Sequence, residues 1–186
     1  MKIVQSAIVA LACLAGSACE TVPPLDFTVP EVGRVAQRKD AELLSMTVGF
    51  APQTAQRVME TDASIPPIWK ESLTDAINRS LIFTDGSSKK LNLSVRIVEV
   101  DAPGGGGALF TEKTSVAAIY EIVDRKTGDI ILSQEIRTEG GVPMTYAFAG
   151  IVRHREGVNR AVRNNIAEFI ALLETTDFGR PAFPVQ

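Results

Sequence analysis

The chain has 186 residues, 45% of them hydrophobic and 22% charged, which excludes wholesale disorder and suits one folded domain with tails. Its formal net charge is −3, which argues against a protein built mainly to grip nucleic acid. Two cysteines and one histidine exclude a zinc-finger array and a disulfide-rich miniprotein.

Met1 and Lys2 give a short positive start, and residues 3–18 then carry no charge and are mostly Ile, Val, Ala and Leu. The run closes on Gly16, Ser17 and Ala18 before Cys19. That is the three-part layout of a secretory signal, and it is shorter than the ~20 residues of a spanning helix. Cleavage reads in two ways. Gly16-Ser17-Ala18 suits an ordinary signal peptidase, which would release a secreted or periplasmic protein. Leu14-Ala15-Gly16-Ser17-Ala18-Cys19 resembles a bacterial lipobox, although Gly16 stands where the pattern usually has Leu. In the lipobox reading Cys19 becomes the acylated first residue, and two or three acyl chains hold a protein firmly to a membrane. Glu20, rather than Asp, follows the cysteine, which leans toward the outer membrane, facing the periplasm.

Residues 19–40 read as a lipid-anchored tether, with Pro23, Pro24 and Pro30 keeping it extended; an irregular strand lying across the domain is the alternative. The domain is expected over 41–174. Residues 43–50 make a short strand with Leu44, Met46 and Val48 on one face. Residues 66–82 make a helix with Pro67 in its first turn and Trp69, Leu73, Ala76, Ile77 and Ser80 on its inner face. Residues 91–100 alternate as a half-buried strand, with Leu93, Val95 and Ile97 in phase. A loop with Gly104 to Gly107 leads to a strand over 114–123, apolar in both phases and therefore central. A hairpin turn over 124–129 returns the chain as a strand over 129–138, which Gly140 and Gly141 break. A helix over 151–174 follows, with Val158, Val162, Ile166, Phe169, Ile170 and Leu173 inward; residues 175–186 form an irregular tail.

The chemistry-bearing candidates are few. His154 sits between Arg153 and Arg155, and no G-x-S-x-G elbow accompanies it, so it reads as a surface helix residue. Asp124 and Asp129 lack the spacing of a calcium loop and read as a polar turn, so no metal site and no cofactor is expected. The glycine run lacks the GK[ST] of a phosphate loop. Arg153, Arg160 and Arg163 share a helix face and could meet lipid phosphate or an acidic partner through their forked guanidinium groups. Glu99 and Asp101, beside the glycine loop, are the carboxylates of an alternative reading as an envelope enzyme acting on lipid or sugar. A purely structural lipoprotein is a third.

The order strand, helix, three strands, helix predicts an α+β fold: an antiparallel-rich sheet of about four strands with two helices on one face (β-α-β-β-β-α). With the lipobox-like start, the stretches LNLSVRIVEV, SVAAIYEIVDRKTGDIILSQEIRTEG and NNIAEFIALL make the chain resemble small envelope lipoproteins of Gram-negative bacteria. Examples are the lipopolysaccharide-assembly lipoprotein and the auxiliary lipoproteins of envelope transport systems. The resemblance implies a membrane-anchored, non-catalytic binding or scaffold component with an envelope protein or lipid as partner, and no nucleic acid. It carries over no catalytic residue.

Overall fold

The structure, a computed structural model, describes residues 21–52, 62–102 and 112–183; Cys19 and the run Gly104 to Gly107 lie outside them. The elements are β1 (Glu42–Phe50), α1 (Ile65–Ser80), β2 (Lys90–Asp101), β3 (Glu112–Asp124), β4 (Ile130–Val142), a 3-10 turn (Met144–Tyr146) and α2 (Gly150–Thr175). The strands lie in the order β1-β2-β3-β4. β1 and β2 are parallel, joined through α1, while β2–β3 and β3–β4 are antiparallel. The fold is therefore α+β, as the element order predicts.

Both helices contribute to one apolar core over one face of the sheet. The inner stripe of α1 (Trp69, Leu73, Ala76, Ile77) and that of α2 (Val158, Val162, Ile166, Phe169, Ile170, Leu173) are buried against Leu91, Leu93, Val95, Ile97, Val116, Ala118, Tyr120 and Ile122. Tyr120 stacks on Phe169, with ring centroids 4.1 Å apart. Helix α1 ends on Leu81 in the left-handed conformation (φ 55°), a position that usually favours glycine. The β3–β4 hairpin closes as the sequence suggests. Gly128 takes φ +79°, and the Asp124 carboxylate accepts from the backbone N–H of Lys126 at 2.8 Å.

Two strands are interrupted by one-residue irregularities. Between Ile97 and Glu99 the register with β3 slips, so Val98 and Glu99 together oppose Ala117. The extra residue resets the alternation and lets Val100 point back into the core. In β1 the slip falls between Leu43 and Ser45, so Leu44 is exposed and Leu43 packs on the core in its place, a correction to the simple alternation.

Two sequence expectations are corrected, and the expected irregular tail is found docked on the domain. The described part of the expected tether is packed against the domain: Phe27 is fully buried, Val29 nearly so, and the Phe27 ring meets Trp69 edge-on at 6.3 Å. Farther along, the Val35 N–H donates to the Ser80 carbonyl and Lys39 bridges to Phe83. The tail is irregular but docked, with Phe178 in the core beside Phe83 and the Ala182 N–H donating to Ile130 O at 2.7 Å. Gly140 and Gly141 do not end β4, which runs on to Val142. Glycine is required at 140 because helix α2 lies against the strand: a Cβ there would fall 2.2 Å from the Gly157 carbonyl and 2.6 Å from the Ala161 N. Gly157 in turn lies against Thr114, whose Oγ1 would be 2.5 Å from an added Cβ.

Candidate functional site

Helix α2 carries the three arginines that the sequence singles out, together with His154. Arg153, expected to share an outward helix face with Arg160 and Arg163 as a partner or lipid-phosphate contact, is instead 2% exposed. Its guanidinium turns back under the β4–α2 connection and donates to the carbonyls of Ala147 (2.7 Å) and Phe148 (2.8 Å). Arg160 donates to Glu156 at 2.7 Å and to the Gly141 carbonyl at 2.9 Å, and it lies over the Tyr146 ring at 5.3 Å. Arg163 pairs with Asp26 at 3.0 Å and reaches Glu156 at 4.0 Å. The three arginines are thus brought into one region, where each has a partner within the chain.

That arrangement gives the connection a defined shape. Residues 143–151 form a knuckle braced from beneath by Arg153 and from the side by Arg160. It presents Met144, Tyr146, Phe148 and Ile151 outward, with Phe148 86% and Ile151 56% exposed. Four exposed large apolar side chains within nine residues make this segment a candidate interaction surface. Sequence reasoning passed over this segment because it lies between a glycine break and a helix and follows neither helical nor strand period. The signal available was local: four large apolar residues among Pro143, Thr145 and small residues, with no buried phase to account for them.

Pro24 and Asp26 lie against the same helix. Asn159, 1% exposed, accepts from the Asp26 N–H at 3.0 Å and donates to the Pro24 carbonyl at 3.1 Å. The Asp26 carboxyl is held below its ordinary value, first by the Thr28 backbone N–H, then by the Thr28 hydroxyl and by Arg163. Asp62, which pairs with Arg155 at 3.4 Å, is likewise lowered, chiefly by the Ser64 hydroxyl and N–H.

Glu99 and Asp101 sit elsewhere, on and beside the β2 irregularity. Glu99 is 6% exposed on the sheet face away from the helices, where both guanidinium Nη atoms of Arg137 donate to it and Ser115 Oγ donates at 3.0 Å. A carboxylate gripped by a bidentate arginine is a poor proton donor or acceptor for a substrate. Asp101 ends the strand, in register with Ser115. A groove of about 500 Å³ lies along β1 and α1 instead, lined by residues including Glu42, Met46, Lys70, Thr74 and Phe83. In the core, Tyr120 donates to Asn165 Oδ1 at 2.8 Å, and Asn165 donates to the Ile136 carbonyl at 3.0 Å. Burial pushes the Tyr120 hydroxyl far above its ordinary value, so it stays a neutral donor. Among the described residues no group of three or more His, Cys, Asp and Glu side chains is placed to hold a metal ion. Among them, too, no helix is long and apolar enough to cross a membrane.

No family model matches the sequence. No curated protein matches it significantly. Solved structures do match. A Xanthomonas campestris protein of the family DUF330 superposes with a TM-score of 0.56 at 10% identity, over 86% of this chain and 95% of that one. A Caulobacter crescentus protein, described provisionally as a lipoprotein, gives 0.43 at 14% identity, over 65% and 87%. The PelC dodecamer of Paraburkholderia phytofirmans gives 0.47 at 14% identity, over 79% and 96%. The likeness is one of fold, and the Xanthomonas match carries it.

Proposed function

We propose that this protein is an envelope lipoprotein, anchored through an acylated Cys19 to the periplasmic face of the outer membrane. It acts as a non-catalytic binding or scaffold component in outer-membrane or trans-envelope assembly, or in lipid handling. The observation that carries this reading is the leader: a positive start, an uncharged apolar run and small residues ending at Cys19. The fold is compatible with it. Pro24, five residues after Cys19, is held on α2 by Asn159, so an acylated domain would be held close to the bilayer rather than on a long tether. The engagement of Glu99 by Arg137 favours the non-catalytic reading over the carboxylate enzyme. The sharing of a fold with the Xanthomonas protein supports a common architecture and leaves the partner to experiment.

The test is the intact mass of the protein extracted from the membranes of a Gram-negative host, set beside a Cys19→Ala variant. The expected mass lacks residues 1–18 and carries acyl groups on Cys19, and the variant loses both the added mass and the membrane fraction. An unmodified chain cut after Ala18 would overturn the anchor and put a freely diffusing binding domain in its place.

A further inference from the structure

The knuckle over residues 143–151 and the segment around Pro24, which is held by Asn159 of α2, lie toward the same end of the helix. We infer that Met144, Tyr146, Phe148 and Ile151 form a membrane-contacting surface that enters the lipid interface beside the acylated Cys19. This rests on the acylation proposed above.

Direction is the first argument. The segment from Pro24 to Lys39 runs alongside α2 in the same sense as the helix. Pro24 and Asp26 are held by Asn159 and Arg163, and the Lys39 ammonium donates to the carbonyls of Glu174 (2.7 Å) and Thr176 (2.9 Å). Followed upstream, the chain therefore heads toward Gly150 and the knuckle. Reach is the second. Cys19 precedes Pro24 by five residues, which span at most about 18 Å when fully extended. Ile151 precedes Asn159 by eight helical residues, about 12 Å along the axis. An acyl anchor so short, attached there, keeps this end of the domain near the bilayer.

The third argument is the chemistry of the surface. Aromatic and large aliphatic side chains favour the zone between headgroups and acyl chains, where amphipathic surfaces settle ~5–10 Å deep. Backbone carbonyls do not, unless they are already satisfied. Here the carbonyls of Ala147 and Phe148 are satisfied by the buried Arg153, so the loop offers its side chains to lipid without exposing those two acceptors. Val22, also exposed, adds apolar surface to the segment next to the anchor.

The experiment uses the full acylated protein carrying Phe148→Trp, reconstituted in vesicles of phosphatidylethanolamine and phosphatidylglycerol, with and without brominated acyl chains. The native Trp69 is fully buried and serves as the shielded reference. The expected result is a blue-shifted emission from the added indole that is mostly lost on the brominated vesicles. Ile151→Trp, a second exposed position, should behave alike. Emission typical of water that bromine leaves unchanged, in protein whose mass shows acylated Cys19, overturns the inference and leaves the anchor standing. A blue shift that bromine does not quench and that fades on dilution also overturns it, and identifies a second copy of the chain as the occupant. Protein that lacks the acyl mass and stays off the vesicles overturns the anchor itself, and the inference falls with it.

Discussion

Helix α2 meets the β-sheet on one side and the N-terminal segment on another, and the two contacts are built on opposite terms. Against the sheet the helix backbone comes so close that Gly140 and Gly157 leave no room for one more carbon. Buried polar groups on that side are tied in a fixed network from Tyr120 through Asn165 to Ile136. Against the N-terminal segment the contact is made by adjustable polar links through Asn159, Arg163 and Asp26, while the buried Phe27 ring of that segment meets Trp69 of α1. The first contact sets the geometry of the fold. The second holds a strap in place and responds to charge.

Substituting Gly140→Val should do most to break this contrast. The added carbons must displace α2 from β4, and an overpacked backbone contact of this kind costs about 3 kcal/mol or more. Urea unfolding should show a large fall in midpoint; a midpoint close to the parent's would mean that the helix slides to make room, and that the sheet side is as adjustable as the strap side. Asn165→Ala comes next. It leaves the Tyr120 hydroxyl and the Ile136 carbonyl without their partner, at a cost of about 1–3 kcal/mol. Adding Tyr120→Phe in that background should recover part of the loss, which a double-mutant cycle measures.

The smallest effect belongs to the strap. The folded Asp26 carboxyl lies below its unfolded value, so it contributes stability above the unfolded pKa and loses it as pH falls through the folded value. Its side chain is half exposed, so the contribution at neutral pH should be no more than about 1 kcal/mol and should weaken with salt. Asp26→Asn should therefore sit slightly below the parent at neutral pH and converge with it in acid, below about pH 4. Parallel stability curves at every pH would show that the strap is held by Phe27 and Asn159 alone.

Much of this architecture is legible in the sequence because period and burial coincide. The stripe Trp69, Leu73, Ala76, Ile77 and the stripe Val158 to Leu173 both face the core as their spacing requires, and β3 is central, as its two apolar phases suggest. What escapes is structure made by non-periodic contacts. Phe27 and Val29 are core residues in a proline-rich extended stretch, where no repeat announces them. Gly140 and Gly141 read as breakers because a helix packed within a few ångströms of the strand is invisible along the chain. Arg153 reads as solvated because the helical wheel cannot see that the preceding loop folds over the first turn and supplies two carbonyls. The knuckle is hidden for the same reason: the groups that brace it, Arg153 and Arg160, follow it in the chain.

The links at the start of the strap also bear on the order of events as the chain is made. Asp26 finds Asn159 and Arg163 more than 130 positions downstream, and Lys39 finds its acceptors at Glu174 and Thr176, near the end of the chain. Contacts of such long range close late, once the intervening loop entropy has been overcome. On the export route proposed above, the segment from Thr21 to Lys39 would lack these partners until α2 has emerged. The acylation proposed for Cys19 would then precede the docking of Asp26 and Lys39 on the completed helix.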